Sequence, residues 1–584
     1  MNLVQIKEKK KILIFKIPNV EFPKEKETKE DLRCSHDYNR PLISSALGML
    51  GAFLLKYAGD HFDLELVDIS IDHALDSKEG TVEPRTLREK MELFFRNAQY
   101  DVIGLSTMFL QNDEWTHLAA KLSKEYHPSA PIILGGGYAT IKPEVALINT
   151  NADYAVIGEG EDTFLYILNK MFGIHNPRFD LLFPNPTGYA LWENNKVIVK
   201  PKTTFIDNLD LLPWPAWDML NGGRYFSRVD NDTSYNYYPI TITRGCPYKC
   251  IFCSVSLSTG RRIRSRNSEK VLEEIHYFYS KYGFKRLVFA DDDVNVNRET
   301  FHSVLRGLIK RNYGIGIDSF YVAINPLTKE TIQLMAEAGM KNITLPVETG
   351  SPRMQKIIKK YIDLDKAEQA FQWAKEYGFH TETPFIFGFP QETEEARRMS
   401  IDFSRKIHAH STIYLTATPW EGTELYNYAA TNNHLPNEIS HQRGSRDMGH
   451  FINVDFDYEE LKQLTYDENI RMNFLTKIWL SEPEHYNDLL KLWKSFEVDL
   501  PDHAILYLCL GFLSKKMSQT EEMERYYKQA YELFKKDEVN KTYGRYLQWQ
   551  EEPILNYLFF IATAMKDVDG IIKAKCKKPT ERQI

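Results

Sequence analysis

Three cysteines within eight residues constrain this chain more than any other feature of its sequence. Cys246, Cys250 and Cys253 have the spacing C-x3-C-x2-C and are three of the six cysteines among 584 residues. Three thiolates this close together can bind three irons of a cubic [4Fe-4S] cluster and leave the fourth iron open to a small molecule. Zinc is the competing metal, but a structural zinc site usually requires four Cys or His ligands. His127 and His276 lie at no spacing that would complete such a site.

This motif, with the aromatic Phe252 just before the last cysteine, resembles the signature of the radical S-adenosylmethionine enzymes. In that family the open iron binds the amino and carboxylate groups of S-adenosylmethionine. An electron from the cluster then cleaves the sulfonium and gives a 5'-deoxyadenosyl radical. The resemblance extends over roughly residues 10–430. It implies S-adenosylmethionine as cofactor and an external one-electron reductant of the flavodoxin or ferredoxin type as partner.

The composition narrows the class of protein. The length of 584 residues suggests about three domains. A net charge of -7 without a basic patch argues against nucleic acid as a partner. The few cysteines indicate a reducing compartment, and the charged N-terminus has no signal-peptide pattern. The apolar segment 42–55 is too short for a membrane span. From these features together we expect a cytoplasmic protein. The sequence does not predict its oligomeric state.

Short apolar runs alternate with helical segments in the first 200 residues. The predicted strands are 11–17, 64–69, 101–106, 131–134 and 154–157, and the predicted helices are 41–57, 87–98 and 115–126. This alternation predicts a doubly wound, Rossmann-like parallel sheet, with ligands at the carboxyl ends of its strands.

Small residues follow the third, fourth and fifth predicted strands, where consecutive glycines let a bulky ligand approach the backbone. No G-x-G-x-x-G follows the first strand, so a dinucleotide is not expected. The arrangement resembles the cobalamin-binding domain of one branch of radical S-adenosylmethionine enzymes. That resemblance implies cobalamin contacts from Ser106, Thr107, Met108, Phe109, Gly135, Gly136, Gly137, Gly158 and Glu159. The alternative is a flavodoxin-like domain whose glycines only make tight turns.

The lower axial ligand of cobalt is left open. Mutase-type cobalamin domains carry D-x-H-x-x-G after the first strand, whereas here His36 lacks the Asp and the Gly at those offsets. A solvated loop histidine is the favoured interpretation of His36. Many members of the resembled branch lack a histidine ligand, and Met108 or Phe109 could cover the lower face of the corrin. An unligated lower face favours Co(I) and easy methyl transfer.

A second alternation of strands and helices follows a Pro- and Trp-containing connector at 207–218, predicted as an extended crossing. The predicted strands are 239–243, 286–290, 319–324, 342–347, 383–388 and 413–417, separated by helices such as 268–282 and 298–310. Six such units predict a partial (β/α)6 barrel of the TIM type, with the cysteines at the carboxyl end of its first strand. The predicted domains are 1–200 (cobalamin-binding), 201–236 (linker), 237–430 (radical barrel) and 431–584 (helical).

Polar residues at the other barrel strand ends are the candidate S-adenosylmethionine ligands. Asp291 or Asp292, in the run 291–293, is predicted to accept the amino group, although such aspartates also serve as helix caps. The resemblance assigns Glu348 to the ribose and carboxylate, and Gly388 and Thr418 to loops that pack the adenine. The arginines at 261, 262, 264 and 266 are predicted to form a solvated face.

Beyond residue 458 the periodicity is helical, with predicted helices at 458–475, 485–496, 504–515, 520–535 and 547–565. Aromatic residues at helical spacing indicate a packed core. We expect a helical domain that caps the barrel mouth and shapes the substrate pocket.

The resemblance implies a cobalamin-dependent radical S-adenosylmethionine enzyme that methylates an unactivated carbon of a small-molecule or peptide precursor. One alternative is a cyclase or ring-rearranging enzyme with the same cofactors and no methyl transfer. Another is a sensor whose cluster or cobalamin is regulatory. No residue pattern identifies the substrate.

Overall fold

The structure is a computed structural model. It describes residues 9–18, 43–72, 87–108, 112–226, 237–319, 321–435, 456–475, 486–497 and 500–543, and the single residues 451, 454, 483 and 546. His36, Phe109 and the predicted helix at 547–565 lie outside these described residues.

The N-terminal region is built on a mainly parallel sheet. Its strands are β1 (Lys10–Lys16), β2 (Phe62–Asp68), β3 (Val102–Thr107), β4 (Ile132–Gly136), β5 (Tyr154–Val156), β6 (Tyr189–Glu193) and β7 (Lys196–Lys200). They pair in the order β2-β1-β3-β4-β5-β6-β7, with β1 to β5 parallel. The predicted doubly wound sheet is confirmed, with strand ends shifted by one or two residues.

Helices cover both faces of this sheet because its strands are apolar on both faces. The helices are α1 (Ser45–Ala58), α2 (Leu87–Asn97), α3 (Asp113–Tyr126), α4 (Gly137–Ile141), α5 (Pro143–Thr150), α6 (Glu161–Phe172) and α7 (Pro177–Leu182). Ile12 and Ile14 pack into the core shared with α1 and α6, whereas Leu13 and Phe15 pack into the core shared with α2 and α3. This two-residue alternation is the period of a strand buried on both sides.

The hairpin β6–β7 was missed by the sequence interpretation, which assigned no strands there. Both strands are antiparallel to their neighbours and extend the sheet beyond β5. Asn194 and Asn195 form the two-residue turn with φ angles of 50° and 61°. Two left-handed residues are typical of a tight hairpin turn, so this Asn pair was the available signal.

The connector at 207–218 also differs from the prediction, because it folds into two short 3-10 turns, Leu209–Leu211 and Trp217–Leu220. Trp217 is fully buried and donates from Nε1 to the Tyr238 hydroxyl at 3.2 Å. The amide of Ala216 donates to the Gly48 carbonyl in α1 at 2.9 Å. The connector is therefore packed between the two α/β units.

The central region is the expected open barrel. After α8 (Gly222–Phe226), its parallel strands are β8 (Tyr238–Ile240), β11 (Arg286–Phe289), β12 (Gly316–Ser319), β13 (Asn342–Thr344), β14 (His380–Phe387) and β15 (Ser411–Thr416), and a short antiparallel pair, β9 (Thr243–Arg244) and β10 (Arg264–Ser265), flanks the cysteines. The sheets β12-β11-β8 and β13-β14-β15 meet through a parallel bridge between Ile317 and Met340.

One barrel strand was placed wrongly from the sequence. The prediction at 319–324 chose an apolar run, but the strand is Gly316–Ser319, with sequence GIDS. Asp318 there is buried because Arg286 and Asn342 donate to its two carboxylate oxygens at 2.6 and 2.7 Å. A strand that buries a paired charge does not give an apolar pattern.

The barrel helices are α9 (Val255–Thr259), α10 (Ser268–Tyr282), α11 (Arg298–Arg311), α12 (Lys329–Glu337), α13 (Pro352–Ile357), α14 (Leu364–Glu376), α15 (Glu394–Ile407) and α16 (Glu424–Thr431). Each of α10 to α16 begins at an Asn, Thr, Ser or Asp whose side chain accepts from a first-turn amide. These N-caps fix where each strand-end loop stops.

The C-terminal helices are α17 (Tyr458–Ile470), α18 (Tyr486–Ser495), α19 (Ala504–Lys516), α20 (Thr520–Phe534) and α21 (Asp537–Tyr543). The single helix predicted at 458–475 ends at Ile470 and continues as a π-helical turn, Arg471–Leu475. Among the helices of the described ranges, none is long and apolar enough to cross a membrane.

Helix α17 and the π-helical turn that follows it cover the edge strand of the barrel by side-chain hydrogen bonds. The Asn473 amide accepts from the Thr412 amide at 2.9 Å and donates to the Thr412 carbonyl at 2.6 Å. Asn469 makes the same pair of bonds with Tyr414, at 2.9 and 2.8 Å. Two carboxamides one helical turn apart thus satisfy backbone groups of β15 that would otherwise form an open sheet edge.

Candidate active site

The three cysteines lie in the loop between β9 and α9, at the carboxyl end of the first barrel strand, as expected. Gly245 has a φ of 97°, and a side chain there would collide with the Arg262 carbonyl. The Cys246 amide donates to the Gly260 carbonyl at 3.0 Å, and the Cys253 amide donates to the Cys250 carbonyl at 3.3 Å. The loop is therefore closed at both ends by backbone hydrogen bonds.

The end of α13, the start of α16 and the loop after β14 hold the middle of this loop. The Ile251 amide donates to the Ile358 carbonyl at 3.1 Å, and its carbonyl accepts from the Leu425 amide at 2.9 Å. The Phe252 ring packs on Phe389 with ring centroids 5.5 Å apart. The aromatic residue of the motif thus serves to anchor the loop against the end of β14.

The cysteine thiols are half-buried, and their burial disfavours the ionised form. Burial raises the pKa of all three, to about 11 for Cys250. Iron binds the thiolate and supplies the missing positive charge, so this donor set fits a metal cluster. The Lys360 ammonium acts in the same direction, because it lowers the pKa of Cys250 and Cys253.

The three aspartates after β11 point to three different partners. Asp291 is buried and accepts from the Ile242 amide at 3.1 Å and from the Thr243 amide at 2.5 Å, so its carboxylate holds the β8–β9 turn. Asp292 accepts from the Thr259 hydroxyl at 3.0 Å. Asp293, which the sequence interpretation did not select, accepts from the Cys246 thiol at 3.4 Å.

Glu348 and Lys360 form a buried ion pair beside the cysteine loop, with Nζ 3.2 Å from Oε1. Glu348 has a φ of 67°, a left-handed conformation that costs a non-glycine residue about 1–2 kcal/mol. Burial lowers the pKa of Lys360, but Glu348, Cys250 and Asp293 together raise it above its ordinary value, so the ammonium is charged. Lys360 had no signal in the sequence, because it lies in a loop after a short helix.

Gly388 and Thr418, the two predicted adenine-loop residues, follow β14 and β15. The Gly388 amide donates to Glu392 at 2.6 Å, and burial raises the pKa of Glu392 to about 7. A Cβ on Gly388 would lie 2.5 Å from Leu461, so the C-terminal helix α17 reaches this strand end. Thr418 is half-buried, and its carbonyl accepts from the Trp420 amide at 3.0 Å.

A cavity of about 240 Å³ lies at the carboxyl edge of the N-terminal sheet. Of the predicted cobalamin residues that the structure describes, it is lined by Ser106, Gly135, Gly136, Gly158 and Glu159. A Cβ on Gly135 would meet no atom within 4 Å and would project into this space. A glycine edge that leaves room for a bulky group fits cobalamin.

Three other residues of this set that the structure describes, Thr107, Met108 and Gly137, do not line the cavity. Thr107 is buried, and its hydroxyl is 2.8 Å from that of Thr116. Met108 is 58% exposed, and Gly137 begins α4. The cavity instead has walls from α1, from Phe164 of α6, and from the barrel residues Arg244, Ser258 and Thr259.

Glu159 lines the cavity and also binds a residue of the barrel. Both its carboxylate oxygens bind the Arg264 guanidinium, at 2.5 and 2.8 Å. Glu161 accepts from Arg244 at 2.7 Å, and although burial opposes it, Arg244 holds the pKa of Glu161 below its ordinary value.

The predicted solvated arginine face is therefore wrong for two of its four members. Arg264 is buried by its pairing with Glu159, and the Arg266 guanidinium binds Glu274. The prediction is right for Arg262, whose side chain is 69% exposed. Arg261 is also exposed and binds the Tyr248 carbonyl at 2.5 Å.

Two family models match the two α/β units. Residues 51–168 match the B12 binding domain, and residues 240–404 match the radical SAM superfamily. The cavity lies at the edge of the first matched unit and the cysteine loop lies in the second.

Proteins of similar sequence match most of the length of this chain. An uncharacterised methyltransferase of Pyrococcus horikoshii is 29% identical over 66% of this chain and 78% of its own length. The cytidylyl-2-hydroxyethylphosphonate methyltransferase of Streptomyces wedmorensis is 26% identical over 75% and 87%. The anaerobic magnesium-protoporphyrin IX monomethyl ester cyclase of Rubrivivax gelatinosus is 24% identical over 87% and 83%.

Solved structures show the same fold. The radical S-adenosylmethionine methyltransferase TsrM of Kitasatospora setae, solved with cobalamin and a [4Fe-4S] cluster, has a TM-score of 0.58 at 15% identity over 82% of this chain and 90% of its own. The cobalamin-dependent S-adenosylmethionine radical enzyme OxsB has a TM-score of 0.59 at 15% identity over 96% and 84%.

The fold, the cysteine loop and the cavity are those of a radical S-adenosylmethionine enzyme with a cobalamin-binding domain N-terminal to its barrel. The chain carries a B12 binding domain N-terminal to a radical SAM domain, and its fold matches that of solved cobalamin-dependent radical S-adenosylmethionine enzymes. Its cofactors are a [4Fe-4S] cluster, S-adenosylmethionine and cobalamin, and like other radical S-adenosylmethionine enzymes it requires a reductant.

Proposed function

We propose that this enzyme transfers a methyl group to an unactivated carbon of a small-molecule or peptide natural-product precursor. The observation that carries the proposal is the position of the cavity, which is lined both by the glycine edge of the cobalamin domain and by Ser258 and Thr259, just beyond the cysteines. Cobalamin and cluster would face each other across this boundary. Two of the three sequence relatives cited above are named as methyltransferases.

The cofactors supply the hard chemistry, namely radical formation at the cluster and methyl donation from cobalt. Cys246, Cys250 and Cys253 would hold the cluster. Ser106 and the glycines at 135, 136 and 158 would hold cobalamin.

Charged side chains around the cysteines would bind the polar groups of S-adenosylmethionine. The Lys360 ammonium suits the carboxylate of the methionine moiety, because it lies near Cys250 with Glu348 as its partner. Asp293 and Asp292 face the loop and suit the amino group, whereas the Asp291 carboxylate is already used by backbone amides. Glu348 would accept the ribose hydroxyls, and the loops at Gly388 and Thr418 would pack the adenine.

Product analysis tests the proposal. Protein purified without oxygen and loaded with iron, sulfide and cobalamin is given labelled S-adenosylmethionine, a flavodoxin- or ferredoxin-type reductant and candidate substrates. Methyl transfer yields S-adenosylhomocysteine together with 5'-deoxyadenosine. Turnover of a substrate with 5'-deoxyadenosine alone would contradict methyl transfer and favour a cyclase, an alternative supported by the similarity to the Rubrivivax enzyme.

A single cysteine variant tests the role of the cluster loop. Cys250→Ala removes one of the three thiolates, so we expect loss of 5'-deoxyadenosine formation with cobalamin binding retained. Cys509→Ala is the matched control, because Cys509 is buried in the C-terminal helices. Full cleavage activity in Cys250→Ala would contradict the assignment, as would equal loss in the control.

A further inference from the structure

A cluster of buried charges joins the cobalamin domain to the cysteine loop. We call residues 158–162, which follow β5 and begin α6, the acidic loop. Its carboxylates are those of Glu159, Glu161 and Asp162, and the bases that face them are Arg244, Arg264 and Lys202. Their side chains are between 2% and 17% exposed.

Each pair has short contacts. Arg264 and Glu159 form a two-bond fork at 2.5 and 2.8 Å, Arg244 lies 2.7 Å from Glu161, and Lys202 lies 3.0 Å from Asp162. The positive and negative charges balance. Buried ion pairs add little net stability because desolvation offsets their attraction, but a fork fixes both distance and orientation.

The acidic loop contacts the cysteine loop on both sides. Arg244 comes before Cys246, the first cysteine. Arg264 comes after α9, the helix that follows Cys253, the last cysteine. The Glu159 amide also donates to the Ser258 carbonyl of α9 at 3.1 Å. A Cβ on Gly158 would lie 3.0 Å from that same carbonyl, so the two backbones are in close contact.

The same loop forms a wall of the cobalamin cavity, through residues 158 to 161. One five-residue segment therefore contacts the space assigned to cobalamin and both flanks of the cysteines. A shift of this segment relative to the barrel would change the separation of the two cofactors.

We propose that the acidic loop is a positioning device that sets the distance and orientation between cobalt and the cluster, with the Glu159–Arg264 fork as its principal contact. This inference rests on the proposed placement of the two cofactors. Glu159 and Arg264 act through the cofactors and are positioning residues.

The test is a charge-neutral change of the fork. The double variant Glu159→Gln with Arg264→Gln leaves no unpaired buried charge and removes the two charge-assisted bonds of the fork. It also removes the bonds from the Arg264 guanidinium to the Ile206 and Thr259 carbonyls, at 2.9 and 2.7 Å. The matched control is Glu394→Gln with Arg398→Gln, an exposed Arg–Glu pair on α15 at 2.9 Å. Protein loaded with cobalamin and cluster is reduced so that Co(II) and the cluster are both paramagnetic. Pulsed dipolar electron paramagnetic resonance then measures the distance between them, with samples matched for iron and cobalamin content.

We expect a single narrow distance distribution for the wild type and for the control. The fork variant should lose that single narrow peak and give a broad or shifted distribution. If the glutamine pair fails to fold, Arg264→Lys, which keeps the charge and loses the two-bond geometry, should broaden the distribution in the same way.

An unchanged narrow distribution in the fork variant, or in Arg264→Lys where that variant replaces it, overturns the inference and leaves the proposed function standing. A wild-type protein that takes up no cobalamin or no cluster overturns the proposed function and this inference together. The two failures are therefore distinguishable from the cofactor content of the wild type alone.

Discussion

Asp291 is a carboxyl group folded away from water among hydrogen-bond donors. Burial raises its pKa from 3.8 to about 7, although the amides of Ile242 and Thr243 and the Thr243 hydroxyl favour the charged form. Desolvation outweighs these hydrogen bonds. Its environment therefore penalises ionisation.

This shift predicts a pH dependence of stability. Between pH 3.8 and about 7 the unfolded chain ionises Asp291 and the folded chain does not, so stability falls as pH rises through this window. Asp291→Asn cannot ionise, and its oxygen can still accept from Thr243. Without cofactors, we expect the stability of Asp291→Asn to fall less than that of the wild type as pH rises from 3.8 to about 7. The difference in the free energy of unfolding should be a few kcal/mol, measured from the melting temperatures of both proteins across this pH range. Parallel pH profiles for variant and wild type would contradict the shift.

At this scale the sequence identified the carboxylate run but not the role of each member. Successive side chains at a strand end point in different directions, so a shift of one residue exchanges their partners. Asp291 meets the β8–β9 turn, Asp292 meets Thr259 and Asp293 meets Cys246. Lys360 depends on a loop conformation between Lys359 and Tyr361, both at positive φ, which no residue pattern indicated.

At the scale of the elements, the contact between the C-terminal segment and β15 gives a direct test. Asn473→Ala removes both hydrogen bonds to Thr412 and leaves backbone groups without those partners, at a cost of about 1–3 kcal/mol. We expect a lower melting temperature and faster hydrogen exchange in β15. Asn432→Ala is the control, because Asn432 is exposed and its side chain donates to the Tyr428 carbonyl of α16, the helix that ends just before it. Unchanged exchange in β15 would show that the edge does not depend on this carboxamide.

Strong apolar runs and N-caps made most elements predictable. The run at 11–17 and the helix at 268–282, which begins after the Asn267 cap, match β1 and α10. The errors arose where tertiary contacts replaced the apolar signal, as in β12 with its buried Asp318, and where a two-residue Asn turn was overlooked. The π-helical turn at Arg471–Leu475 contains Asn473, whose contact with Thr412 is a tertiary feature.

At the scale of the whole molecule, the position of the cavity at the domain boundary allows cobalamin binding to be tested separately from iron binding. Gly135→Leu would fill space where a Cβ meets no atom within 4 Å. We therefore expect this variant to lose cobalamin on desalting and to keep its iron content. Gly223→Leu is the control, because a Cβ on Gly223 in α8 also meets nothing within 4 Å and that residue is exposed. Retention of cobalamin by Gly135→Leu, measured by visible absorption, would contradict the location of the site.

The contacts that join the domains could not be predicted from the sequence. Glu159 and Arg264 are separated by 105 positions, and each stands among other charged residues that are typical of a surface. Their burial follows from the packing of one α/β unit on another, which a local pattern does not encode. The run at 261–266 was therefore assigned to solvent as a whole, although only part of it is exposed.

The carboxamides of Asn469 and Asn473 on the rim of the barrel have an evolutionary consequence. Two side chains are enough to satisfy these backbone groups at the strand edge. The segment that follows has to supply two carboxamides one helical turn apart, on a helix that runs along β15. The C-terminal segment can therefore change at its other positions while these backbone groups of β15 keep their partners, provided that the two carboxamides are retained.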